Sequence, residues 1–130
     1  MATDTAARQP DRDLGNALIS IDQYAFGEDA ARKNRLRLTE RLARDAQRVR
    51  MLGASAIDLA WTAEGRLDAC ILLGNNPWDT SAGVLIAREA GARVLDDDGS
   101  EHSPQSRSTI AVTPSLEADP MTAVQAALTE

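Results

Sequence analysis

Short apolar runs alternate with longer amphipathic stretches along this chain, and the alternation predicts strands and helices in turn. Ala17–Ile21 is an apolar run interrupted only by Ser20, ends near the turn-prone Gly27, and reads as a buried strand. From Glu28 to about Gln47 there is no Pro or Gly. Glu28 and Asp29 suit the start of a helix, and Arg41, Arg44 and Arg48 lie toward its end. Leu38, Leu42 and Val49 give it a thin apolar stripe. Arg48–Leu52 reads as a short strand stopped by Gly53, and Ser55–Glu64 as a helix stopped by Gly65. Ile57, Ala60, Trp61 and Glu64 share one face of that helix, three of them apolar, so this is the face expected to pack.

Leu67–Leu73 is the strongest strand. Its unbroken apolar run from Ala69 implies burial on both faces. After Gly74–Pro77 a helix is expected from about Asp79 to Ala90, with Ala82, Leu85, Ile86 and Ala90 on one side and Gly91 as its stop. Arg93–Leu95 is a strand, Asp96–Gly99 a turn, Thr109–Thr113 a last strand and Ser115–Leu128 a closing helix. Trp61 and Trp78 are expected to anchor the core. The alternation argues for a layered α/β domain with helices on the sheet faces, spanning 15–130 behind a flexible lead-in at 1–14.

Composition narrows the class. One hundred and thirty residues fit one core, and 43% hydrophobic with 26% charged residues excludes a disordered tail or a collagen-like chain. A net charge of −6 argues against sequence-independent nucleic-acid binding. Residues 28–50 carry a local +4, but their arginines go round the helix rather than along one face, which describes a solvated helix. Cys70 has no partner for an internal disulfide, so a cytoplasmic, reducing setting is expected. No apolar run approaches the roughly 20 residues of a membrane span, and residues 1–13 lack the apolar core of a secretory signal.

Chemistry concentrates at Pro77–Gly83. Asp79 falls at a loop-to-helix junction after a buried strand, where α/β folds bind ligands. The residues alone leave two uses open for it: capping the helix, or binding a hard cation through oxygen. Elsewhere the bland readings prevail. Asp96, Asp97 and Asp98 form a turn, His102 sits in a polar loop without a triad, Cys70 is an inert buried thiol, and Glu89 is a surface residue.

The blocks Met51–Ala60, Glu64–Ala69, Trp78–Gly83 and Ile86 with Glu89–Ala92 fall in an order and spacing that resemble the C-terminal half of the inositol monophosphatase family, over roughly Leu18 to Leu116. The resemblance implies a magnesium-dependent phosphomonoesterase whose α/β layers enclose a central mixed sheet of about five strands. It implies that Asp79 is a Mg²⁺ ligand that also touches substrate, and that Gly53, Ala54 and Ser55 bind substrate through backbone and small side chains. The partner would be a small sugar or polyol phosphate, hydrolysed by metal-activated water.

Two departures qualify that implication. The family's other metal ligands lie in an N-terminal Glu-rich block and a D-P-x-D-G-T block. Neither is in this sequence, and Asp119-Pro120-Met121-Thr122 only begins like the second. One carboxylate holds Mg²⁺ weakly, because that ion parts reluctantly with its waters. Leu72 also stands where many inositol-hydrolysing members place a hydroxyl-binding glutamate. The expectation is therefore the C-terminal part of a phosphatase, inactive as an isolated chain and with no catalytic residue of its own. An N-terminal-half partner chain or a homodimer would complete it. The alternative is a catalytically dead binding or interaction module of the same fold.

Overall fold

A computed structural model describes residues 13–22, 29–74, 76–116 and 118–129. Residues 1–12 of the expected lead-in, together with Gly27 and Glu28, lie outside these. The described elements run β1 (Leu18–Ile21), α1 (Asp29–Asp45), β2 (Arg48–Arg50), α2 (Ser55–Glu64), β3 (Ala69–Leu72), α3 (Pro77–Glu89), β4 (Arg93–Leu95), β5 (Thr109–Val112) and α4 (Ala118–Thr129). Short 3-10 turns occupy Leu14–Asn16 and Pro114–Leu116. The strands form one mixed sheet in the order β2-β1-β3-β5-β4. β1 is parallel to β2 and β3, while β5 is antiparallel to β3 and β4.

Chain direction decides which face each helix covers. From β1 the chain steps outward to β2, then back across β1 to β3. Right-handed crossovers therefore send α1 and α2 to opposite faces. Accordingly α1 packs with α4 on one face, and α2 with α3 on the other. Strand side chains alternate between the two. Ile19, Ile71, Ile110 and Val112 join Leu38, Leu42 and Val124 under α1 and α4. Cys70, Leu72, Val94 and Ala111 join Leu59, Val84 and Ala87 under α2 and α3. Each fully buried Ile or Leu contributes about 1.5–3 kcal/mol over its exposed state, so these two layers carry the fold.

Proline sets two helix starts differently from the expectation. Pro77 occupies the first turn of α3, where its missing N–H costs nothing, so the helix opens before Asp79 rather than at it. Pro120 would remove an interior hydrogen bond from a helix begun at Ser115. Instead Pro114–Leu116 is a separate turn and α4 opens at Ala118.

The packed faces of α2 and α3 also correct the sequence reading. α2 buries Asp58, Leu59, Thr62 and Ala63, and leaves Ile57 43% exposed. α3 buries Thr80, Val84 and Ala87, while Leu85 and Ile86 are 60% and 49% exposed. Trp78 is no core anchor, being 79% exposed. Trp61 is half-buried, with the Arg66 guanidinium 5.7 Å from its ring centre. Each helix is apolar on two faces, and the sheet takes one of them. Gly83 sets how closely the two helices pack. A Cβ there would lie 2.6 Å from Leu59 Cδ1, so only glycine lets the two helices pack this closely.

Candidate functional site

α2 follows the carboxyl end of β2 and α3 the carboxyl end of β3, and these strands share a direction through β1. The two helix N-termini therefore open at one end of the sheet. Gly53 makes the turn into α2 with φ of 79°, a conformation natural to glycine. Ala54 precedes the helix in extended conformation without a side-chain cap, and Ser55 is its first residue. The Asp58 N–H is the one that donates back to the Ala54 carbonyl, at 3.0 Å. The amides of the preceding turn lack intrahelical acceptors, as at any helix start.

Asp79 is the third residue of α3 and is exposed. Its N–H donates to the Asn76 carbonyl at 2.9 Å, and Asn76, not Asp79, stands at the cap position without a side-chain cap bond. The carboxylate thus sits at the positive end of the helix dipole, open to solvent. Leu72 is 1% exposed within the α2–α3 layer, so it cannot reach a ligand at this edge.

Behind the edge lies a polar cluster that the sequence reading did not single out. Asp22, directly after β1, receives Arg35 from α1 in a two-pronged ion pair, Nε to Oδ1 and Nη2 to Oδ2 both at 3.2 Å. Asp22 Oδ2 also accepts the Leu73 and Gly74 amides at 2.9 and 3.3 Å. This clasp ties β1, α1 and the exit of β3 together. Gly74 lies close beneath it, and a Cβ there would sit 2.9 Å from Arg35 Nη2, so a larger residue would push that end of the guanidinium aside.

Asp58 is 1% exposed and Ser20 fully buried, yet neither Asp58 Oδ1 nor Ser20 Oγ has a hydrogen-bond partner among the described residues. Burial pushes the Asp58 carboxyl up to about 6. The Ser20 hydroxyl, close by but outside hydrogen-bonding geometry, opposes part of that rise, and the Asp22 carboxylate adds to it. The one signal that pointed here was an acidic residue among Leu59, Thr62 and Ala63 on the inner stripe of α2.

The other candidates stand as structural residues. Burial pushes the Cys70 thiol up to about 12, which leaves it inert. Asp96 Oδ1 accepts the amides of Asp97 and Ser108, so the acidic turn anchors its own loop. His102 shares a 2.9 Å hydrogen bond with Thr109 Oγ1, and burial lowers its affinity for a proton.

Among the described residues no three His, Cys, Asp or Glu side chains converge on a common point. Mg²⁺ demands octahedral oxygen coordination, usually through more than one carboxylate or a substrate phosphate. The residues present do not fit a resident ion by themselves.

Comparison with known proteins bears on the same segments. The profile of the inositol monophosphatase family matches residues 6–129. A probable inositol 1-monophosphatase of Mycobacterium tuberculosis is 36% identical over 110 residues, which are 83% of this chain and 41% of that protein. A Thermotoga maritima IMPase structure superposes with a TM-score of 0.84 at 25% identity, over 94% of this chain and 45% of that one. The Mycobacterium tuberculosis SuhB structure gives 0.76 at 31% identity, over 92% and 45%. The chain spans about four tenths of the length of the curated relatives it matches. Family profile, identity and superposition all converge on the fold derived above, and this chain belongs to the inositol monophosphatase family.

Proposed function

We propose that this chain supplies the C-terminal part of a magnesium-dependent phosphomonoesterase acting on a small sugar or polyol phosphate. Asp79 is its one contribution to a Mg²⁺ cage, and further carboxylates come from polypeptide outside this sequence. Gly53, Ala54 and Ser55 meet the substrate through the uncapped first turn of α2, whose free amides and dipole favour an anionic phosphate. The observation that supports this most is the shared opening of α2 and α3 at one end of the sheet, both without side-chain caps and with the exposed Asp79 carboxylate in the first turn of α3. Leu72 stands where the family resemblance implies a hydroxyl-binding glutamate, and its apolar side chain packs inward instead, which turns the preference away from inositol itself.

No catalytic step is assigned to these residues alone. The isolated chain with Mg²⁺ is expected to leave phosphomonoesters intact, whether it acts as one part of the enzyme or as a non-catalytic interaction module. The second role is the one suited to a chain in which no three carboxylates converge among the described residues. Co-expression with the part of the Mycobacterium tuberculosis relative that lies outside the match separates them. Restored hydrolysis, lost again in Asp79→Asn, supports the phosphatase. Turnover by the isolated chain would refute both.

A further inference from the structure

A cavity of about 340 Å³ opens at the end of the sheet where β3 and β4 finish. Both strands run antiparallel to β5, so they end on the side where β5 begins. Leu73 and Asp97 stand just beyond β3 and β4, and Arg107 just ahead of β5. Asn34 and Arg35 of α1 and Leu128 of α4 complete the wall. α1 and α4 pack on the sheet face opposite α2 and α3, so this cavity belongs to the other face from Asp79.

The hydrogen-bonding groups left over in its wall are donors. Asn34 Oδ1 accepts from Arg37 Nη2, which fixes the orientation of the amide, and the Asn34 amide nitrogen has no acceptor among the described residues. The Arg107 side chain is 82% exposed and commits only Nη2, to Asp97 Oδ1 at 3.3 Å. Its Nε and Nη1 have no partner among the described residues. The carboxylates nearby are engaged at both oxygens. Asp97 takes Arg107 on one and the Ser108 hydroxyl, at 3.0 Å, on the other. Asp22, behind Arg35, takes that guanidinium and the Leu73 and Gly74 amides. The rest of the wall is apolar, since Leu73 and Leu128 pack against the core under α1 and α4.

We propose that this cavity binds a small organic anion, with a carboxylate or phosphate head group on an apolar body. The head group meets Arg107 and the Asn34 amide, planar N–H donors that suit such oxygens. The body lies against Leu73 and Leu128. Size points the same way. The volume is about ten times the ~30 Å³ a water takes up in the liquid, so a bare inorganic ion leaves most of it unfilled, while small-molecule sites begin at about 300 Å³. The site does not rest on Asp79 or the first turn of α2 binding phosphate. It does share Arg35 with the clasp on Asp22, so a ligand here touches the residue that holds the exit of β3.

The test is a proton–nitrogen NMR titration of the full chain with benzoate, phenyl phosphate and the uncharged isostere benzamide. At least one of the two anions is expected to saturate in the millimolar range, as suits ligands of about ten heavy atoms. Saturation should move the Asn34 side-chain amide, the Arg107 Nε–H and the Leu73 and Gly74 amides, and the tighter anion names the head group. Benzamide should bind at least about tenfold more weakly than that anion. Asn34→Asp keeps the oxygen that Arg37 needs and replaces the donor by a negative oxygen, so it should weaken the anion about tenfold or more with unchanged circular dichroism. Arg107→Gln, at an exposed side chain, should weaken it as well. Asp79→Asn should leave this binding unchanged, which separates the two sites. Absence of saturation by either anion would overturn the proposal. So would benzamide binding as tightly as the anions, indifference to both substitutions at the cavity, or shifts confined to Gly53, Ala54, Ser55 and Asp79.

Discussion

Replacing Asp58 by Asn isolates the strain of a carboxylate buried with one oxygen unpartnered. The carboxyl titrates near 3.8 when solvated and near 6 in the fold, where burial is the largest cause. Its folded-state affinity for the proton is therefore raised, so this group favours folding only while it is protonated. Well below pH 4 it is protonated in both states and its ionisation costs nothing. As pH rises from about 4 through 6 the unfolded chain ionises first, and folding loses stability until both states are charged. The shift of about two pH units is worth about 3 kcal/mol. In a domain of this size that corresponds to about 10 °C in melting temperature.

Thermal unfolding of wild type and Asp58→Asn from pH 4 to pH 8 measures it. The amide cannot ionise, so any burial penalty it brings is constant with pH and cancels from the slope. Titration of His102 is common to both proteins and cancels as well. The variant should gain about 2–3 kcal/mol on the wild type between the two ends of the range. Parallel curves for the two proteins would refute the claim that burial penalises the charged form of this carboxylate.

Further outcomes follow from packing and burial. Gly83→Ala forces a methyl against Leu59 and should cost about 1–3 kcal/mol in urea unfolding, relieved in part by Leu59→Ala in the same chain. Cys70, with its thiol pushed up to about 12, should resist iodoacetamide in the native protein and react at the ordinary thiol rate once denatured. Fast native labelling would mean that β3 opens locally.

Strand and helix identities were legible because glycine and proline punctuate apolar runs. Gly65 and Gly91, both with positive φ, end elements where the pattern breaks. Pro77 and Pro120 carried the exact helix starts, but periodicity alone gave them no weight. The packed face of α2 and α3 was not legible for a different reason. Periodicity reports that a helix has an apolar stripe, and these helices have two. The larger stripe, with Ile57 and Leu85, drew the sequence reading, whereas the close approach of α3 to α2 rests on Gly83 against Leu59, a contact between helices that periodicity within one helix does not report.

Within the candidate site, Gly53, Ala54, Ser55 and Asp79 were visible as blocks with family spacing. Asp22 and Arg35 were not, since their pairing arises from the β1–α1 connection rather than from any local motif. The same holds for Ser20 and Asp58, which meet only because α2 crosses back over β1.

The account's central claim is that Asp79 is one wall of a cation site whose other walls lie outside this sequence. Titration calorimetry of the chain with Mn²⁺, in the presence and absence of inorganic phosphate, tests it most directly. No saturable binding is predicted in either condition at millimolar metal. A single saturable site that disappears in Asp79→Asn would contradict the claim and make the site complete within these residues.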